Sequence, residues 1–296
     1  MHNFEIFCDS SCDTPTDLLN QYKIKRIPFY VSFDQEHYEK EIEELSISDF
    51  YKRLTSEKVF PKTSLPSVQD YLVKFKETLK EGRDILCVCL TSKFSGSFQS
   101  AVTARMILEE DYPEANIAVV DSMQATSCEG LTVLQAAYMR DAGYSLDETV
   151  KRLEQIRLSS RIMFTVGTLE YLQKGGRIGK VSSIAGTMLN LKPLIQLKDG
   201  ELMPYGTIRG RNKSLDKALS MVSEYFSETG ENYEDYDFCV TTGTCVEEAE
   251  AFRVQLEEMI GRKIDYPLFQ IGVTIGTNTG PDAIGACFIK KFNAGV

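Results

Sequence analysis

The chain has 296 residues, room for one large or two medium domains, and two is the expected count. Hydrophobic residues at 43% and charged residues at 26% give the balance of a globular protein with a sizeable core. A net charge of -10 argues against nonspecific binding to nucleic acid or to an anionic membrane, both of which need a basic surface.

In chain order, FEIFCD (4–9) reads as a strand. TPTDLLNQYKI follows as a short helix, with Thr14 as its cap and Pro15 at its first position. KRIPFYVSF is expected to be a second strand. ISDFYKRLT and VQDYLVKFKETLKEG have amphipathic helical spacing, the second ending at Gly82. The strand DILCVCL, the helix SGSFQSAVTARMILEE and the strand ANIAVVDS come next. Continuous apolar strands separated by helices predict a parallel sheet covered on both faces. A helix ending near Arg157 closes this half, which sets the expected domains at 1–158 and 159–296.

The second half has a different grammar. SSRIMFTVGT reads as a strand, and TLEYLQKGG and VSSIAGTMLNL as helices. KPLIQLKDGELMPYGTIRG carries an Asp199-Gly200 turn between two strand patterns, a hairpin signal. A helix over 214–226, a strand over 236–241, a long helix after Cys245 and two closing strands complete a mixed sheet. The expected fold class is α/β, with a parallel-sheet domain followed by a mixed-sheet domain.

The start, MHNFEIFCDSS, lacks a cationic stretch followed by a long apolar one, and no apolar run approaches the ~20 residues of a membrane span. A cytoplasmic location is expected. The eight cysteines sit mostly inside apolar runs, which favours free buried thiols over disulfides. There is no C-x-x-C pair, and His2 and His37 are the only histidines. Neither a metal nor a cofactor is expected.

Hydroxyl residues crowd the expected strand exits: CDSSCD (8–13), TSKFSGS (91–97) and VDSMQATS (120–127), with PKTSLPS (61–67) ahead of a helix. Singly, each serine or threonine reads as a helix cap. Together they suggest a cleft rim of hydroxyl and N–H donors suited to a carboxylate or phosphate. A serine nucleophile fits less well, because Ser97 has glycine on one side alone, at Gly96, and histidine, the usual activating base, is scarce. KGGRIGKVSS (174–183) fails as a phosphate loop, with Lys174 where glycine is needed and Val181 where a hydroxyl is needed. A helix end explains Gly175 and Gly176 but leaves Arg177, a cation within reach of an anion, unexplained.

CDSSCD, IPFYVSF, KTSLPS, TSKFSGSFQSA, VVDSMQATSCEG, TLEYLQKGGRIGK, LKPLIQLKDGELMPYGTIRGR and IGTNTGP, in this order and nearly end to end, resemble the DegV family. Its members include the fatty-acid-binding subunit of bacterial fatty acid kinase. The resemblance implies two α/β domains with a long-chain fatty acid buried between them. Its carboxyl group would meet Thr63, Ser64, Ser95 and Gly96, the last letting backbone approach the ligand, with Arg177, Asn278 and Thr279 completing the site. It also implies a non-enzymatic carrier that presents the carboxyl group to a separate kinase subunit, with transient membrane contact allowed. Arg209 and Arg211, in TIRGRNKS, would then face the kinase. One departure stands out. Where members of the family carry His-Thr-Gly-Pro-Gly, this chain has Asn278-Thr279-Gly280-Pro281-Asp282. Asparagine never carries a positive charge, and Asp282 adds a negative one. The alternatives are an acyl or lipid transferase or hydrolase using the serine cluster, and a binder of a non-lipid small molecule.

Overall fold

The computed structural model describes residues 4–57, 59–185 and 191–295. Strand β1 (Phe4–Asp9) is buried along its whole length and leads, through a tight turn at 10–12, into helix α1 (Thr16–Gln21). Pro15 caps α1 with no side-chain bond, and the Thr14 hydroxyl turns back to Cys12 O at 3.5 Å, so the expected Thr14 cap does not form. The expected strand KRIPFYVSF is two strands, β2 (Ile24–Ile27) and β3 (Tyr30–Ser32). Pro28 lies between them and has no N–H to give to a ladder. After β4 (Glu39–Lys40) come α2 (Ile47–Ser56), β5 (Lys62–Ser64), α3 (Val68–Lys80), β6 (Asp84–Cys89), α4 (Ser97–Asp111) and β7 (Ile117–Asp121). Strands β2-β1-β6-β7 form a parallel sheet, and β4-β3-β5 a small antiparallel one.

Helix α5 (Thr126–Asp141) went unrecognised in the sequence, because nearly every residue of it is buried and no polar stripe marks a solvent face. It packs against β1 and β6 on one side and against strands of the second sheet on the other. Helix α6 (Leu146–Ile156) leads to β8 (Arg161–Thr165), α7 (Glu170–Lys174), the hairpin β9 (Leu191–Lys198) and β10 (Glu201–Arg209), and α8 (Arg211–Thr229). Then come β11 (Tyr236–Thr242), α9 (Val246–Ile260), β12 (Phe269–Gln270), α10 (Val273–Thr279) and β13 (Ile284–Lys290). The sheet order is β10-β9-β8-β13-β11-β12, antiparallel except for the β11–β12 pair. Asp199 and Gly200 both have positive φ, 53° and 82°, as a tight hairpin turn requires. The expected helix VSSIAGTMLNL is a 3-10 turn over Gly179–Ile184, and residues 186–190 lie outside the described residues.

This is an α/β fold with a parallel four-stranded sheet and a mixed six-stranded sheet. One apolar core runs through both, from Phe4 and Leu86 across α5 to Phe238 and Ile289. All eight cysteines are free thiols, and seven are buried. Among the described residues no helix is long and apolar enough to cross a membrane.

Candidate functional site

A cavity opens between the two sheets, with about 1060 Å³ of empty space when its mouth is included. Its walls are mostly apolar, with Phe29, Leu90, Ile162, Phe164, Leu197 and Ile284 among them. Apolar walls with a few polar side chains converging at one end are the lining of a small-molecule site.

Thr63, Ser64, Ser95, Arg177, Asn278 and Thr279 all border this one cavity. They come from four separate segments, which touch each other in a ring. A side chain at Gly96 would rest on Leu65, next to Ser64. Arg177 Nε donates to Phe94 O at 3.2 Å, and its Nη1 to Gly175 O at 2.6 Å. Asn278 Oδ1 packs on Gly175, where a Cβ would collide with it. Helix α10, carrying Asn278 and Thr279, closes the ring by packing against α7 and β5. Ser95 Oγ accepts from Ser97 N at 3.1 Å, so it props the start of α4 as well as facing the cavity.

Gly96 differs from the expectation. It is not among the cavity-lining residues, its φ of -78° suits any residue, and a Cβ there would meet Leu65 at an ordinary 3.5 Å. Nothing in the protein itself therefore requires glycine at this point. Asp282 also departs from its expected place. Its carboxylate packs on Gly167, in a separate groove with Lys192 and Arg211, and it does not line the cavity. Asn278 is committed internally, since its Nδ2 donates to Thr274 O at 3.1 Å. Arg211 makes two bonds to Glu248 Oε2, at 2.9 and 2.7 Å, whereas Arg209 is exposed.

CDSSCD does not form a rim. It is buried, and its side chains hold the rim from behind. Asp9 Oδ2 accepts from Leu90 N at 3.0 Å and from Ser97 Oγ at 2.7 Å, fixing both ends of the loop that bears Ser95. Ser11 Oγ bridges Asp9 Oδ1 and Glu129 Oε2, at 2.6 and 2.9 Å. Burial pushes the Asp9 carboxyl up against the downward pull of these donors. Burial, then the nearby Asp9 charge, pushes Glu129 well up. No local pattern marks these buried acids, because a carboxylate in a chain of 43 acidic residues reads as surface. Thr126 and Thr274 also line the cavity, and their hydroxyls lead to two further buried carboxyls, Asp13 and Glu41. His37 sits on the surface, its Nδ1 2.7 Å from Asp34 Oδ2, and has no part in the site.

The family model for DegV matches residues 3–291, and the chain belongs to the DegV family. A DegV domain-containing protein of Caldanaerobacter subterraneus subsp. tengcongensis is 32% identical, with 98% of this chain and 100% of that protein covered. Among solved structures, a stearic-acid-binding protein from Eubacterium ventriosum superposes with a TM-score of 0.93 at 36% identity, covering 98% of this chain and 99% of that one. A DegV family protein from Thermus thermophilus, described by its fatty acid binding, gives a TM-score of 0.86 at 28% identity, covering 97% and 99%.

Proposed function

We propose that this protein binds one long-chain fatty acid in the cavity between its sheets and presents the carboxyl group to a separate kinase subunit, without catalysing the transfer itself. The observation that carries this reading is an apolar cavity whose polar side chains, from four segments, meet in one ring. Each methylene moved from water to such walls contributes about 0.8 kcal/mol, so the alkyl chain needs no polar help. A carboxylate cannot be buried unpaired. Thr63, Ser64, Ser95 and Thr279 offer hydroxyls to it, and Arg177 stands at the rim with the matching charge. Support also comes from the stearic-acid-binding relative, which shares the fold over nearly its whole length.

Gly96 belongs to this proposal as a backbone N–H close to the head group. Arg209 and Arg211 are the proposed kinase contact, with Arg209 the exposed member. Residues 1–158 and 159–296 are the proposed units on either side of the ligand. The setting is the cytoplasm, with transient contact where the acid is collected from a membrane. The test is mass spectrometry of what the purified protein releases on denaturation. Near-stoichiometric long-chain fatty acid is expected, and a nucleotide, a sugar or no organic ligand would overturn the reading.

A further inference from the structure

Helix α10 is a poor helix by composition. Val273, Thr274, Ile275, Thr277 and Thr279 are β-branched, and Gly276 is a sixth unfavourable residue among its seven. Its first turn is held from outside. Glu41 Oε1 accepts from Thr274 N at 3.1 Å, and Glu41 Oε2 accepts from Thr274 Oγ1 at 2.7 Å and from Ser10 Oγ at 2.6 Å. A second carboxyl, Asp13, takes the Thr126 hydroxyl at 2.6 Å on Oδ2, while its Oδ1, buried beside the Gly272 backbone, has no well-formed hydrogen bond among the described residues. Asp13 Oδ1 and Glu41 Oε1 crowd the same side of Gly272, where any Cβ would strike both.

Both carboxyls are interior, at 7% and 1% exposure. The ionisable groups facing them are Cys12, beside Asp13, Cys287 of β13, and Tyr51 of α2, whose hydroxyl donates to Ile271 O at 3.0 Å. Arg26 and Glu43 flank Glu41 across an outer groove. Two ionised carboxylates in such a place would repel, and among the described residues neither is in a salt bridge that would offset it.

We propose that Asp13 and Glu41 share one proton and act together as positioning residues for the head-group site, holding α10 so that Asn278 and Thr279 stand in the cavity wall. The proton sits on Asp13 Oδ1, which turns an acceptor without a donor into a donor toward Glu41. Glu41, with three donors, keeps the negative charge. Burial pushes both carboxyls up, Asp13 further through the Glu41 charge. The clasp is therefore complete while Asp13 holds its proton and Glu41 its charge, and it is lost as pH rises through the folded-state value of Asp13. Its effect on a ligand rests on the lipid-binding reading, whereas its effect on α10 does not.

The test is hydrogen exchange of the delipidated full chain at pH 6 and pH 9, corrected for intrinsic rates, comparing amides of 273–279 with those of α9. A fluorescent long-chain fatty acid is the probe for retention. In the parent, α10 protection should fall roughly tenfold or more between the two pH values, about the effect of losing one hydrogen bond to a charged group. Asp13→Asn, neutral at both pH values and tolerant of the left-handed φ of 50°, should flatten that profile. Glu41→Ala should leave α10 unprotected throughout. If it does not fold, the isosteric Glu41→Gln should lose the pH dependence. Parent-like α10 protection in Glu41→Ala, or a profile that survives in Asp13→Asn, would overturn the proposal. If α10 behaves as stated and the parent never binds the probe, the clasp stands and the lipid reading falls.

Discussion

Ser95 and Thr63 border the same cavity from different elements, yet their backgrounds differ. Ser95 also accepts from Ser97 N, whereas Thr63 lies within the short β5 strand. Ser95→Ala and Thr63→Ala should each weaken fatty-acid binding by about 1–3 kcal/mol, the range for stripping a partner from a buried charged group. Ser95→Ala should additionally lower ligand-free stability by about 1 kcal/mol, as removing a helix-start hydroxyl does. Isothermal titration and thermal melts separate the two effects, and parent-like lipid affinity in both variants would remove these residues from the site. Gly280 gives a sharper structural expectation. Its φ is 73°, and a Cβ there would enter the Tyr171 ring, so Gly280→Ala should cost about 1–3 kcal/mol in denaturant unfolding.

At the scale of elements, the close fit of α5 to the turn after β1 depends on Gly130, where a Cβ would meet Thr14 Oγ1 and Cys12 O. One of those neighbours is backbone and cannot turn away. Gly130→Ala should destabilise by about 1–3 kcal/mol despite its better helix propensity, the opposite sign from the same change on an exposed helix. This helix also shows why some elements were readable and others were not. The strands FEIFCD and DILCVCL announced themselves by continuous apolar runs, and the β9–β10 hairpin by its Asp-Gly turn. Helix α5 is buried on every face, so periodicity had no polar stripe to mark it. Helix α10 carries little helical signal, because β-branched residues and Gly276 fill it and Glu41, which holds its first turn, lies far away in sequence. The residues that border the cavity were legible as motifs, yet the carboxyls behind them were not. Their burial is a property of the packing and not of the local pattern.

For the molecule as a whole, the buried carboxyls of Asp9, Asp13, Glu41 and Glu129 set the pH response. All four are pushed up by burial. Their contribution to stability is complete below the ordinary carboxyl range and is lost as pH rises through the folded-state values. Surface carboxyls act in the opposite sense. Glu224, held down to about 2 chiefly by Lys217, loses its contribution in acid, but such exposed pairs count for little. Melting temperature at constant ionic strength should therefore fall from pH 6 to pH 9, and a flat or rising curve would contradict it. The surface also bears on the proposed kinase contact. Arg209→Ala should keep its bound acid while a cognate kinase phosphorylates it more slowly, most visibly at low salt, because charge steering acts on association. Loss of lipid from that variant would place Arg209 elsewhere in the mechanism.

The buried thiols turn this architecture into a clock. A thiol reagent added to the folded protein should react promptly with about one group, the half-exposed Cys245, and with the other seven only when the core opens. Five of those seven, Cys8, Cys12, Cys87, Cys89 and Cys128, precede residue 158, and Cys239 and Cys287 follow it. Cys8, Cys12, Cys128, Cys239 and Cys287 lie in the one apolar core that joins both sheets through α5, and Cys87 and Cys89 lie on the other face of β6 against α3 and α4, so all seven should appear in a single kinetic phase whose rate reports global opening. Two phases in the proportion five to two would mean instead that each sheet with its helices opens on its own, and that the ligand lies across a seam.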